Sequence, residues 1–165
     1  MEKPFVIIDL EPHLHDFLYH DFEADKDGGI LLNTSNEIGR YIQSMISVSD
    51  LPVRLPSMEN PISLILPIQE WNHYVINHNF IHVVKWKAKM IQDFLEAMWR
   101  IRVREYFVAG YEKGYNQDRI INAFLTSYNI KKNKVSYDQI KKIDYRNRKK
   151  INKQIANEIQ LSLFE

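Results

Sequence analysis

Apolar positions recur along this chain with two different periods. Phe5-Val6-Ile7-Ile8 is a short β-branched run reaching Asp9-Leu10 and predicts a strand. Glu11-Pro12 then suits a helix start, because proline at the first helical position gives up no N–H that the helix needs. Leu14, Phe17, Leu18 and Phe22 follow at helical spacing, and Asp27-Gly28-Gly29 predicts a turn into a short strand at residues 30–32. A second helix is expected behind Ser35 or Asn36, with Ile38, Ile42, Met45 and Ile46 on one face, ending near Ser47. Two proline-flanked extended pieces come next, 51–55 and 61–66, the second apolar enough to be a buried strand.

From Ile68 onward the pattern turns helical. Residues 80–111 place Val84, Ala88, Ile91, Leu95, Met98, Arg102 and Glu105 at mixed i+3/i+4 steps, and Trp86, Met90, Phe94, Ile101 and Val108 widen that stripe. This predicts a long amphipathic helix broken near Gly110 or Gly114. Asn116 caps a helix over 117–128 whose apolar face is Ile120, Ile121, Phe124, Leu125 and Tyr128, and Asn129 can end it in the left-handed conformation. Ser136 and Gln139 have capping-box spacing, so a last helix is expected from Tyr137 to about Asn157, with Ile140, Ile143, Ile151, Ile155 and Ile159 apolar. The expected class is α+β: a small mixed α/β N-terminal part (1–67), a long helical segment packing on it (68–115), a basic helical pair (116–157) resembling a helix-turn-helix, and a tail (158–165).

Length and composition suit one domain with a tail: 165 residues, 45% hydrophobic, 26% charged and only five glycines, enough apolar surface for a real core. The absence of cysteine removes disulfides, thiolate zinc sites and cysteine nucleophiles together. No apolar run is long enough for a membrane span, and the N-terminal run reaches Asp9 too soon for a signal-peptide core. The expectation is a soluble cytoplasmic protein with no membrane partner.

Net charge changes the picture, because +1 hides a strong polarity. Residues 1–35 carry eight acidic against two basic side chains, whereas 119–153 carry eleven basic against Asp138 and Asp144. A basic end on a nearly neutral chain points to a polyanion, most often nucleic acid. The alternatives are a solvated lysine-rich face, or docking of the basic half on the acidic N-terminal segment within one molecule or between two. In the nucleic-acid reading the last helix is the reader. Lys141, Lys142, Arg146, Arg148, Lys149 and Lys150, with Lys131, Lys132 and Lys134 from the preceding loop, would neutralise phosphates. Asn147 and the arginines have the donors to address base edges, and Tyr137 and Tyr145 add hydroxyls. The loop from Asn129 to Val135 is longer than the usual three to four residues, and its usual glycine is missing.

The most specific signal stands at the end of the chain. Gln160-Leu161-Ser162-Leu163-Phe164 resembles, at all five positions, the pentapeptide by which bacterial replication and repair proteins bind the β sliding clamp. The resemblance implies a partner, the clamp, and a place of work in replication or repair, but no fold and no enzyme. Leu163 and Phe164 would fill an apolar pocket, Gln160 would set register through its amide, Leu161 would add a side contact, and Ser162 is small and wettable. The competing reading is that Ile155, Ile159, Leu161 and Leu163 continue the amphipathic helix and fold back on the core. More loosely, residues 104–114, 118–128 and Asp144-Tyr145-Arg146 resemble uncharacterised small proteins of prophages and mobile elements.

No catalytic, cofactor or metal set is assigned. His13, His15 and His20 lie among carboxylates, but His13 and His15 diverge on a helix and His13 to His20 is about 10 Å, leaving Asp16 with His20 as the one good pair. Asp9, Glu11 and Lys85 or Lys87 have no strand spacing that would make a nuclease constellation. His73, His78 and His82 among Trp71, Asn72, Tyr74, Asn77, Asn79 and Phe80 read as a satisfied core edge rather than a partner surface. The expectation is a DNA-binding, replication-associated accessory or regulatory protein tethered to the clamp by its tail, its N-terminal part and long helix forming the core or a homodimer surface. The alternatives are a phage or mobile-element factor that occupies the clamp groove without binding DNA, and a structural module with neither activity.

Overall fold

The computed structural model describes residues 3–164; Met1, Glu2 and Glu165, which belong to the N-terminal start and the tail, lie outside them. The architecture is α+β. The chain divides into two compact units, one up to Glu96 and one from Ala97 on, so the long helical segment expected at 68–115 is shared between them.

The first unit is built on a three-stranded sheet of order β1-β4-β2, from Phe5–Asp9 (β1), Ile30–Leu31 (β2) and Pro61–Ile65 (β4). β1 pairs antiparallel with β4 in the register Phe5↔Ile65 to Asp9↔Pro61, and β2 pairs parallel with β4. The helix Pro12–Asp21 (α1) has proline in its first turn and buries Leu14, Phe17 and Leu18, as its spacing predicts. Asn36 caps Glu37–Ser44 (α2) by accepting from the Ile38 N–H at 2.8 Å, and Ile38 and Ile42 are buried. Gly39 is required there, since a Cβ would stand 2.1 Å from the Asn33 carbonyl oxygen.

Three sequence expectations shift in this unit. The extended piece at 51–55 joins no sheet; the strand lies just before it, Ser47–Ser49 (β3), pairing antiparallel with Phe80–His82 (β5). Proline at 52 deprives that segment of a ladder donor and Pro56 closes it off, whereas Ser47-Val48-Ser49 retain every backbone N–H. The long helix starts only after β5. The stretch from Ile68 contains just a short helix, His73–His78 (α3), with no buried residue. Trp71 and Tyr74 are each at least 70% exposed, so the aromatic part of this patch is open surface, while Asn72 is buried and hydrogen-bonded to Gln69 and Pro67 as a core edge would be.

Lys85–Glu112 (α4) runs through the boundary between the units. Its buried stripe is Ile91, Leu95, Trp99, Val103 and Phe107, a strict i+4 series with the expected Val108 buried beside it, so beyond Leu95 it leaves the predicted line through Arg102 and Glu105. The apolar side chains of Trp86, Met90 and Ile101 are exposed. In the second unit Gln117–Ser127 (α5) is capped by Asn116 and buries Ile120, Ile121, Phe124 and Leu125. Trp99 meets Phe124 edge-on at 5.0 Å, Tyr106 does the same, and Tyr128 stacks on Phe124 at 4.5 Å. Gly110 lets α4 approach α5 closely, because a Cβ there would fall 2.4 Å from the Ile120 side chain. Asn129 does adopt the left-handed conformation, φ 52°.

The last helix, Lys134–Ser162 (α6), begins three residues earlier and ends about five later than its pattern predicts. Its capping box is Asn133 with Ser136: the Asn133 side chain accepts the Ser136 N–H at 2.9 Å while Ser136 Oγ accepts the Asn133 N–H at 3.1 Å. A serine that reads as a cap is therefore the third helical residue, and the connection between α5 and α6 is the six residues 128–133.

Candidate nucleic-acid interface

The two units separate charge. The first carries seven basic against fourteen acidic side chains, −7; the second carries fifteen against seven, +8. The positive charge concentrates on α6 and the connection before it. Lys131 and Lys132 lie in that connection, Lys134 is the first residue of α6, and all three are exposed.

α6 packs through Ile140, Asp144 and Ile151, which repeat at helical spacing and define the inner face. Opposite to it, Lys142, Arg146, Lys149 and Lys153 recur at i, i+4, i+7 and i+11, all exposed, and form a straight cationic stripe about 16 Å long. Lys141 and Lys150 flank it, and Tyr145, 82% exposed, stands beside it. Lys153 was not among the candidate residues, although the spacing from Lys142 contains it.

Two of the expected readers are occupied elsewhere. Asn147 is half-buried, and its side-chain amide donates to the Ile143 carbonyl of its own helix at 2.8 Å. The Arg148 guanidinium donates to Asp144 at 2.6 Å and to the Tyr111 hydroxyl at 3.1 Å, and it covers the Tyr111 ring at 5.0 Å. Tyr137 donates its hydroxyl to Asp118 at 2.8 Å, which ties the start of α6 to α5.

Asp144 is the hub of this arrangement. Its side chain is fully buried, and Oδ2 accepts from Tyr111, Gln117 and Arg148, joining α4, α5 and α6 through one oxygen. Burial, together with the hydrogen bond to Asp144, pushes the Tyr111 hydroxyl up from 10.0 to about 12. A raised tyrosine pKa means that the folded state keeps a proton which the unfolded chain has lost. The stabilisation is complete below pH 10 and disappears as pH rises towards 12. Stability should therefore decline across that window, and urea unfolding of the wild type and Tyr111→Phe at pH 9 and pH 11 checks it. The variant should lose less between the two pH values; equal losses would refute the assignment.

The tail continues α6 as helix. Gln160, Leu161 and Ser162 are its last residues and Leu163 is its C-cap. It does not fold back on the core: Leu161, Leu163 and Phe164 are 66%, 76% and 84% exposed, and Ile151 is the last buried residue of the helix.

The other candidate chemistry disperses. His13 contacts Glu96 at 2.6 Å, His15 the Asn60 carbonyl, and His20 pairs with Asp21 rather than with Asp16. Asp16 is pushed above the usual carboxylate range by burial, against the opposing pull of His15 and His13. The Asp9 carboxylate accepts the backbone N–H groups of Glu59 and Asn60, a structural role. Among the described residues no group of three His, Asp or Glu side chains is arranged to hold a metal ion, and no helix is long and apolar enough to cross a membrane. Comparison of the chain with family models, curated proteins and solved structures gave no significant match.

Proposed function

We propose that this chain is a DNA-binding, replication-associated accessory or regulatory protein that the β sliding clamp holds through residues 160–164. The observation that carries the reading is the division of labour along α6, whose uncovered outer face is cationic and whose end leaves three large apolar side chains in water. To enter a groove as an extended peptide the last turn must open, since a strand rises about 3.3 Å per residue against about 1.5 Å in a helix. Opening the end of a helix is inexpensive, because few bonds there hold the backbone. Once the tail is seated, DNA contacts form at a raised effective concentration, so each half of the binding can be weak alone.

The test is calorimetric titration of purified β clamp with the intact protein and with a version lacking residues 160–165, with and without DNA. The intact protein should bind in the micromolar range and the shortened one should not bind measurably. Its unfolding midpoint should stay unchanged, because those residues cover nothing. Equal binding by both versions, or none by either, would remove the clamp from the reading. Clamp binding without any affinity for DNA would favour the groove-occupying factor instead.

A further inference from the structure

We infer that α6 holds duplex DNA by its phosphodiester backbone alone and does not read base sequence. This rests on the DNA-binding reading above and narrows it. Base readout needs donors with fixed geometry, such as the bidentate amide of asparagine or the arginine fork, presented on the outer face of the helix. In this chain the amide of Asn147 is committed to the Ile143 carbonyl and the Arg148 Nη2 donates to both Asp144 and Tyr111, which leaves Arg146 as the one arginine fork on the outer face of α6.

What remains outward is the stripe of Lys142, Arg146, Lys149 and Lys153, three point charges and one guanidinium in line over about 16 Å. Lysine carries its charge on a flexible stem with no preferred plane, which suits a phosphate and discriminates little between base edges, and the lone guanidinium of Arg146 stands between lysines with no second fixed donor beside it on the stripe. The stripe also favours a duplex over a single strand. Single-strand sites line a basic groove with several aromatic faces, whereas the outer face of α6 offers Tyr145 alone.

The experiment uses the full-length protein in fluorescence anisotropy with labelled duplexes of unrelated sequence between about 50 and about 200 mM salt. Selection from a randomised duplex pool runs beside it. Affinities should agree within about tenfold and selection should return no enriched motif, whereas a sequence reader prefers its site by about 10³ or more. Lys142→Ala with Lys149→Ala should reduce the slope of log affinity against log salt by about 2, one unit per lost phosphate contact. Asn147→Ala should leave both affinity and slope unchanged. The substituted lysines are exposed, and circular dichroism verifies that the variants fold.

An enriched motif, or tighter binding to single strands than to duplex, would overturn the inference while leaving DNA binding standing. An unaltered slope in the double variant would overturn the stripe as the contact surface. No binding to any nucleic acid at the lowest salt would overturn the underlying reading as well.

Discussion

Replacing Phe124 with alanine should cost about 3–5 kcal/mol of folding stability, the largest effect expected of any single substitution discussed for this protein. Phe124 is fully buried, and three rings converge on it: Trp99 and Tyr106 edge-on at 5.0 Å each and Tyr128 stacked at 4.5 Å. Aromatic pairs in these geometries contribute beyond the area they bury, and the three remaining large rings cannot collapse around the space that a missing benzyl group leaves. Urea unfolding followed by tryptophan fluorescence measures the loss. Phe124→Leu, which retains most of the volume, should lose clearly less. Equal losses would mean that ring geometry, not the cavity, sets the cost.

Asp144→Ala should cost about 2–4 kcal/mol, less than a fully desolvated ion pair would, because the Arg148 side chain is about half exposed and can return to water. The Tyr111 hydroxyl and the Gln117 amide would each lose their Asp144 acceptor. A functional readout separates this from simple loosening. On the proposed DNA-binding reading, Arg148, freed from Asp144, becomes available to phosphate, so a variant that still folds should bind DNA at least as tightly as the wild type and with a steeper salt dependence. An unchanged unfolding midpoint would show that the hub contributes nothing net, as some buried polar networks do.

Much of the local structure was legible in the amino-acid order. Pro12, Asn36, Asn116 and Asn129 each act where local stereochemistry places them, as first-turn proline, N-caps and left-handed terminator. The pattern failed where two residues offered the same signal. Asn133 and Ser136 can each start a helix, and the reciprocal hydrogen bonds of the earlier pair decide between them. It failed again at Trp71 and Tyr74, because the apolar content of a segment shows what it could bury, not what arrives to cover it.

The candidate site divides in the same way. The sequence by itself determined that the C-terminal helix is basic, that Gln160-Leu161-Ser162-Leu163-Phe164 follows its charged part, and that strands precede a helical half, since charge, motif and period are local properties of the chain. Only the tertiary structure decided which cations face outward. Asp144 reads in sequence as one acid in a basic helix; burial against α4 and α5 makes it the acceptor to which the half-exposed Arg148 donates. Tertiary structure likewise decided that α4 buries Trp99 and Val103 rather than Met98 and Arg102. A stripe on a helix is chosen by the surface that packs on it, and that surface is built from residues distant in the chain.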